Sequence, residues 1–311
     1  MFERNTNVGF DFNWSRVPDS NITKRNITVI HDFLQENKKN VDWNNIYNIN
    51  GIPIYLNREE ENIAITLSGG ADSSMLLFLL CSLIEDLKIN PTIHAITMVR
   101  FWRDRIYIED LVANVIGFIN SRFPNIKIKS HFGFIPTALE TTPLENLNFR
   151  LDPAWSGRKP DDLKGRFADV YAVGDYSDYV CSRNNIGYSY TGTTTNPEHH
   201  IALAPEFRNV KEIDPNRYSY QFFKKIGKNT FSMGPFEYIQ KNWVMAQYEN
   251  FGLEDYMMMT RSCEGGKHNM DLTFGPGKWT AEGSKYVCGR CFFCNERSWA
   301  LDSKMPFLIK K

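Results

Sequence analysis

The sequence predicts an α/β fold, doubly wound around a mostly parallel sheet. Three observations carry that expectation. Short apolar runs of strand length alternate with stretches of helical periodicity from residue 62 onward. A glycine- and serine-rich turn joins the first such strand directly to the first such helix. The composition is that of an ordinary globular chain, 311 residues with 42% hydrophobic. At about 100 to 200 residues per domain, this length suits one large domain or a core domain with elaborations.

Taken in order, residues 1–60 are rich in Asn and charge and read as an extension that packs on the main domain. They contain one amphipathic stretch, Ile27–Leu34, of helical pattern. Ile63-Ala-Ile-Thr-Leu67 is a buried strand, Ser68–Ser74 a turn, and Met75–Ile84 a buried helix. Thr92–Val99 suits a second strand. Ile108, Leu111, Val112, Val115, Ile116 and Ile119 fall on one helical face. Ile126-Lys-Ile128 makes a third strand. Residues 131–185, with Pro136, Pro143, Pro153 and Pro160, read as an irregular insertion, a lid or substrate loop. Gly187–Thr191 is a short strand ending in Gly192, and Phe236, Ile239, Trp243, Ala246 and Phe251 indicate a helix after Pro235. Strands alternating with helices imply parallel pairing through right-handed crossovers. The expected organisation is therefore an extension over 1–60, an α/β domain over 61–260 and a cysteine-bearing segment over 261–311.

Charge and hydropathy remove several classes of function. Lys and Arg total 36 against 36 Asp and Glu, a formal net charge of zero. A general nucleic-acid coat draws its affinity from clustered cations, so that class is excluded, while a local RNA-binding patch stays open. No apolar run approaches the roughly 18 to 20 residues that span a bilayer. The opening residues lack the order of a secretion signal, and the chain is read as soluble and cytoplasmic.

The turn Ser68-Gly69-Gly70-Ala71-Asp72-Ser73-Ser74 carries the chemistry. It lies at the carboxyl end of the first strand, where doubly wound sheets bind ligands. Two glycines let backbone approach an anion, the helix start offers N–H groups and a positive dipole end, and three hydroxyls add donors. That combination suits phosphate. No Lys follows, as GxxxxGK(S/T) requires, and GxGxxG is absent from the turn. A tight turn with residues chosen for geometry alone is the plainer alternative.

The six cysteines are Cys81, Cys181, Cys263, Cys288, Cys291 and Cys294, and the last three form CxxCxxC. They are too few and too uneven for a secreted disulfide framework. Two-residue gaps let successive thiolates converge on one ion, and Cys263 is the natural fourth ligand of a tetrahedral zinc. An iron–sulfur cluster competes for the same thiolates, and buried free cysteines are the third possibility. His268 is a lesser candidate in place of one cysteine.

The loop resembles the SGGxDS motif of the PP-loop ATP pyrophosphatases, whose fold is that of the adenine nucleotide alpha hydrolases. With Ser262-Cys263 followed by Cys288-Gly-Arg-Cys291-Phe-Phe-Cys294 and Arg297, the chain is most similar to 7-cyano-7-deazaguanine synthases, the queuosine biosynthesis family. Pro235-Phe236, Lys241, Gly252-Leu253 and Pro205-Glu206-Phe207 also look like family segments. The resemblance implies that Leu67, Ser68, Gly69, Gly70, Ala71, Asp72, Ser73 and Ser74 bind ATP. It places Asp72 near magnesium or the loop backbone and Lys241 near phosphate or developing charge; the bland fate of a helix lysine is solvent. It implies zinc on Cys263, Cys288, Cys291 and Cys294. A 7-deazaguanine carboxylate would be activated by ATP with release of AMP and pyrophosphate, would take ammonia to an amide, and would be dehydrated to the nitrile.

The chain departs from that family in its first 60 residues, in 131–185, and after Gly192, where the family's acidic residue is not evident and Thr193–His200 offers mostly polar residues. His199 and His200 are substrate contacts or simply solvated. An RNA-modifying PP-loop enzyme such as a tRNA thiolase, with Cys181 as sulfur carrier or as a buried small residue, is the second function. A non-catalytic nucleotide-binding partner protein is the third. No N-terminal cysteine nucleophile is present, so ammonia would come from solution or from another protein. Assembly into a homo-oligomer stays open.

Overall fold

The computed structural model describes residues 3–4, 45–49, 52–100, 108–135, 169–194, 223–226, 230–236, 239–262 and 292–302. A small antiparallel sheet is made by β1 (Glu3–Arg4), β2 (Ile46–Ile49) and β3 (Ile52–Tyr55) in that order. The main sheet contains β4 (Asn62–Thr66), β5 (Thr92–Arg100), β6 (Lys127–Ile135), β7 (Tyr188–Thr191), β8 (Phe223–Ile226) and β9 (Thr230–Met233). Its order is β6-β5-β4-β7-β9-β8. All pairs are parallel except β8 with β9 at the edge.

The sheet is wound on both faces, and β4 shows why. Ile63 and Ile65 belong to the main core, whereas Ala64 between them joins a smaller cluster with Ile96, Val180, Cys181 and Ile186. Successive strand residues point to opposite faces, so an uninterrupted apolar run means burial on both. Helices α1 (Ala71–Leu87) and α2 (Ile108–Arg122) cover the main-core face as the chain steps from β4 to β5 to β6. The return to β7, beyond β4, passes through α3 (Asp169–Arg183), which supplies Val180 and Cys181 to the other face. Right-handed crossovers require this change of face when the direction of winding reverses.

Helix α1 is apolar nearly all round because it is covered on both sides. Met75 to Cys81 are all buried. Behind it lie α4 (Lys241–Asn250) and α5 (Glu254–Met259), with Phe78 facing the rings of Phe251 and Tyr256 at 5.4 and 6.4 Å. Each such side chain contributes about 1.5–3 kcal/mol on burial. Helix α6 (Phe292–Asp302) packs on α4.

Three expectations need adjusting. The third strand runs over Lys127–Ile135, and α3 occupies Asp169–Arg183, so both ends of the stretch read as irregular are regular. The periodicity of α3 is weak because, among its described residues, only a small apolar cluster meets the sheet. The helix expected after Pro235 starts at Lys241; Phe236 and Ile239 are buried in the turn before it. Strands β8 and β9 carry no clear alternation that would mark them in the sequence. The hairpin β2–β3 places Ile46, Tyr47, Ile49, Ile54 and Tyr55 in the main core, continuous with the α/β body. Ile27–Leu34 lies outside the described residues.

Candidate active site

The chain leaves β4 in one direction, toward β5 and β6, and comes back to β7 on the other side of β4. That reversal opens a crevice at the carboxyl ends of β4 and β7, the place where open α/β sheets take ligands. Residues 67–70 enter it from β4 and 192–194 from β7. The loop singled out from sequence therefore stands at the topological switch point.

Hydrogen bonds within the loop fix its shape. Ser68 N–H donates to Ser73 Oγ at 3.2 Å, and Gly70 N–H to Ser68 Oγ at 3.3 Å. Ser73 Oγ donates to the Gly70 carbonyl at 3.3 Å. Gly69 has φ +69°, a left-handed conformation, and a Cβ there would stand 2.6 Å from Leu111 Cδ2. Glycine satisfies both demands. Gly70 is the N-cap of α1 with no side-chain cap, so the first turn presents its N–H groups toward the crevice. Gly192 closes the other side: a Cβ there would meet Ser73 N and Cα at 2.7 Å.

Helices α4 and α5 brace this first turn from behind. Tyr248 donates its hydroxyl to the Ala71 carbonyl at 2.7 Å, and Tyr256 to the Ser74 carbonyl at 3.0 Å. Both are fully buried, and burial pushes both phenols well above their usual range. Arg261 N–H donates to the Gly69 carbonyl at 2.9 Å, which lays the segment before Cys263 alongside the loop.

Asp72 meets Lys241 across α1 and α4, with Nζ 3.1 Å from Oδ2, and Lys241 also pairs with Glu296 on α6. Lys241 is 2% exposed, Glu296 is buried and Asp72 retains 19%. Burial alone would lower the Lys241 ammonium, but the two carboxylates outweigh it and hold it above its ordinary value. Burial pushes the Asp72 carboxyl up, while Lys241 and then Arg297 pull it back. Burial likewise raises Glu296, against the pull of Lys241. Arg297 donates to the carbonyls of Met257 and Thr260 at 2.8 and 2.7 Å, satisfying the carboxyl end of α5.

Two polar atoms of the loop have no protein partner among the described residues. Asp72 Oδ1 and Ser74 Oγ are buried without a hydrogen bond. Native structures leave few such groups, and each asks for an explanation. A ligand bearing a cation and hydrogen-bonding oxygens would supply one.

The residues expected to hold ATP are thus brought together, with one distinction. Leu67 is in the core, its N–H bonded to the Ile96 carbonyl and its own carbonyl to Thr97 Oγ1, so its backbone is already engaged. Lys241 points inward, not to solvent. Cys263, Cys288, Cys291, His199, His200 and His268 lie outside the described residues, and Cys294 sits on α6 two positions before Glu296. Among the described residues no group of three or more His, Cys, Asp or Glu could hold a metal ion. Cys81 and Cys181 are buried, and burial with a contribution from Asp178 pushes the Cys181 thiol up to about 12. Glu296, Tyr248 and Tyr256 were not singled out from sequence. The only signal for Glu296 is its place between Cys294 and Arg297.

Compared with known proteins, the chain is similar to the solved structure of the U34-tRNA thiolase NcsA from Methanococcus maripaludis with its 4Fe-4S cluster, at 18% identity and a TM-score of 0.37. The match covers 62% of this chain and 57% of that one, under two thirds of the thiolase's length. No family model and no curated protein sequence matches. The α/β class rests on the strand order and winding of the sheet itself, and no described helix is long and apolar enough to cross a membrane.

Proposed function

We propose that this chain is an ATP-dependent, AMP-forming enzyme of the PP-loop type. One observation carries the reading: the glycine- and hydroxyl-rich Ser68–Ser74 loop stands at the switch point, and its Asp72 Oδ1 and Ser74 Oγ are buried without a hydrogen-bond partner among the described residues. The residues present fit ATP with magnesium. Gly69 and Gly70 admit phosphate oxygens to the backbone, Ser68 and Ser73 offer hydroxyls, and the first turn of α1 offers N–H groups and its dipole. Asp72 would face the cation. Bound in this way through its β,γ-phosphates, ATP exposes its α-phosphorus to a substrate oxygen, and pyrophosphate leaves. Lys241 is held by two carboxylates, so its role is to set the charge beside Asp72 rather than to swing onto phosphate.

For the acceptor, the resemblance of the loop, the cysteine spacing and Arg297 supports a carboxylate on a 7-deazaguanine-type molecule, followed by ammonia attack to amide and nitrile. Adenylation makes sense there, because a carboxylate is a poor electrophile until it carries a leaving group. A nucleobase oxygen of RNA, replaced by sulfur after the same adenylation, is the second acceptor, and the thiolase noted above has that kind of substrate. Cys181 does not suit the carrier role in it, since the thiol is buried and poorly ionised. For the cysteine set we propose zinc, with an iron–sulfur cluster as the competing occupant.

Purified protein is incubated with ATP, magnesium, ammonia and 7-carboxy-7-deazaguanine, and AMP release and product mass are followed. Nitrile supports the first acceptor. AMP formed only with tRNA and a sulfur donor moves the assignment to the second. No ATP turnover with any acceptor leaves a nucleotide-binding partner protein.

A further inference from the structure

Glu296 has no place in the motifs, yet it is buried against Lys241, which touches the loop aspartate. A buried carboxylate is costly unless its charge is used or compensated. Its surroundings define the charge balance of the site. Asp72 and Glu296 bring two negative charges; Lys241, between them, and Arg297, within electrostatic reach of Asp72, bring two positive ones. Arg297 is committed to the Met257 and Thr260 carbonyls of α5. Lys241 is committed to both carboxylates. These four charges sum to zero, and Asp72 Oδ1 has no hydrogen-bond partner among the described residues.

Without Glu296 the balance among these groups shifts from zero to positive. Lys241 would be shared with no second carboxylate and would neutralise Asp72 fully, and the group would carry a net positive charge. Such a group repels a divalent cation and attracts a bare polyphosphate. We propose that Glu296 is a positioning residue which draws Lys241 partly off Asp72 and so keeps the loop competent for metal-bound rather than metal-free nucleotide. The inference rests on the ATP-binding reading given above. It also links α6, which carries Cys294, to the loop through a single buried ion-pair chain.

The test compares the full-length protein with Glu296→Gln, which keeps shape and removes charge, and Glu296→Asp, which keeps charge. Binding of a non-hydrolysable ATP analogue is measured with EDTA and with manganese, the free metal being followed by electron paramagnetic resonance. For Glu296→Gln, affinity for the manganese–nucleotide falls about tenfold, the order expected for one unit charge lost within several Å of a divalent ion. Its metal-free nucleotide affinity holds or rises. Glu296→Asp restores most of the metal-dependent binding. A purely structural role would weaken both forms of nucleotide together. That result, or manganese–nucleotide binding by Glu296→Gln equal to the parent's, overturns the inference and leaves the ATP reading standing. If the parent protein binds no nucleotide in either condition, the ATP reading falls and the inference with it.

Discussion

Gly192, at the end of β7, stands so close to the start of α1 that a Cβ on it would lie 2.7 Å from the backbone nitrogen of Ser73. The obstacle is backbone, which cannot rotate out of the way as a side-chain tip can. The contact is what brings the β7 edge of the crevice up against the loop. Gly192→Ala is therefore expected to push β7 from α1 and to distort the cradle. Overpacking of this kind costs about 1–3 kcal/mol. A thermal melt reads the loss, and titration with an ATP analogue reads a weakened site. An unchanged melt and unchanged binding would show that the two backbones separate freely.

Lys241→Met leaves Asp72 and Glu296 facing each other without their shared cation. Breaking a buried pair in this way costs about 3–5 kcal/mol. Most of that is the penalty of the orphaned carboxylates, so the double variant Lys241→Met with Glu296→Leu should be less destabilised than the sum of the two single changes, by about 1 kcal/mol or more. Urea denaturation of the four proteins supplies the cycle, and strict additivity would count against the coupling.

Asp72→Ala is expected to abolish ATP-dependent AMP release while leaving bound metal unchanged, because the cysteines expected to hold it are separate from the loop carboxylate. Elemental analysis of the purified protein and the variant checks both halves. Zinc without visible absorbance supports the closed thiolate site. Iron and sulfide with visible absorbance would replace it with a cluster, and full activity in Asp72→Ala would remove the loop from the chemistry.

On the far end of the sheet, His94 and His131 give the fold a pH dependence of its own. His94 Nε2 donates to Asn62 Oδ1 at 3.1 Å, which leaves its Nδ1 to accept from His131 Nε2 at 2.9 Å. Burial, then His131 and Lys129, lower His94 from 6.5 to about 4. A histidine depressed in the folded state binds its proton more readily when unfolded, so this pair's stability is full above about pH 6.5 and is lost as pH falls toward 4. Urea midpoints measured across that window should fall, and His94→Gln should flatten the dependence. An equal slope in the variant would assign the effect to other groups.

The strand, loop and first helix from Asn62 to Leu87 were legible because every signal there is local. An apolar run of strand length, two glycines at the turn, and a helix of Leu and Met follow one another without interruption. The same locality explains what was read poorly. Among its described side chains helix α3 buries only a narrow stripe, so its pattern is faint, and the short strands β9 and β8 gain their place from pairing, β9 with β7 and β8 with β9. Lys241 stands out by resemblance, but its burial comes from the packing of α4 on α6.

The amino-acid sequence by itself determined the α/β class and the glycine- and serine-rich turn Ser68–Ser74 between strand and helix, because each depends on neighbours a few positions apart. Tertiary structure decided which side chains share the site. Glu296 lies 55 positions from Lys241, and Tyr248 lies 177 from Ala71. No periodicity connects residues at such separations. Only the winding of the sheet, which turns back beside β4, places Gly192 and the crevice at the loop, and only helix packing sets a second carboxylate against the lysine that holds Asp72.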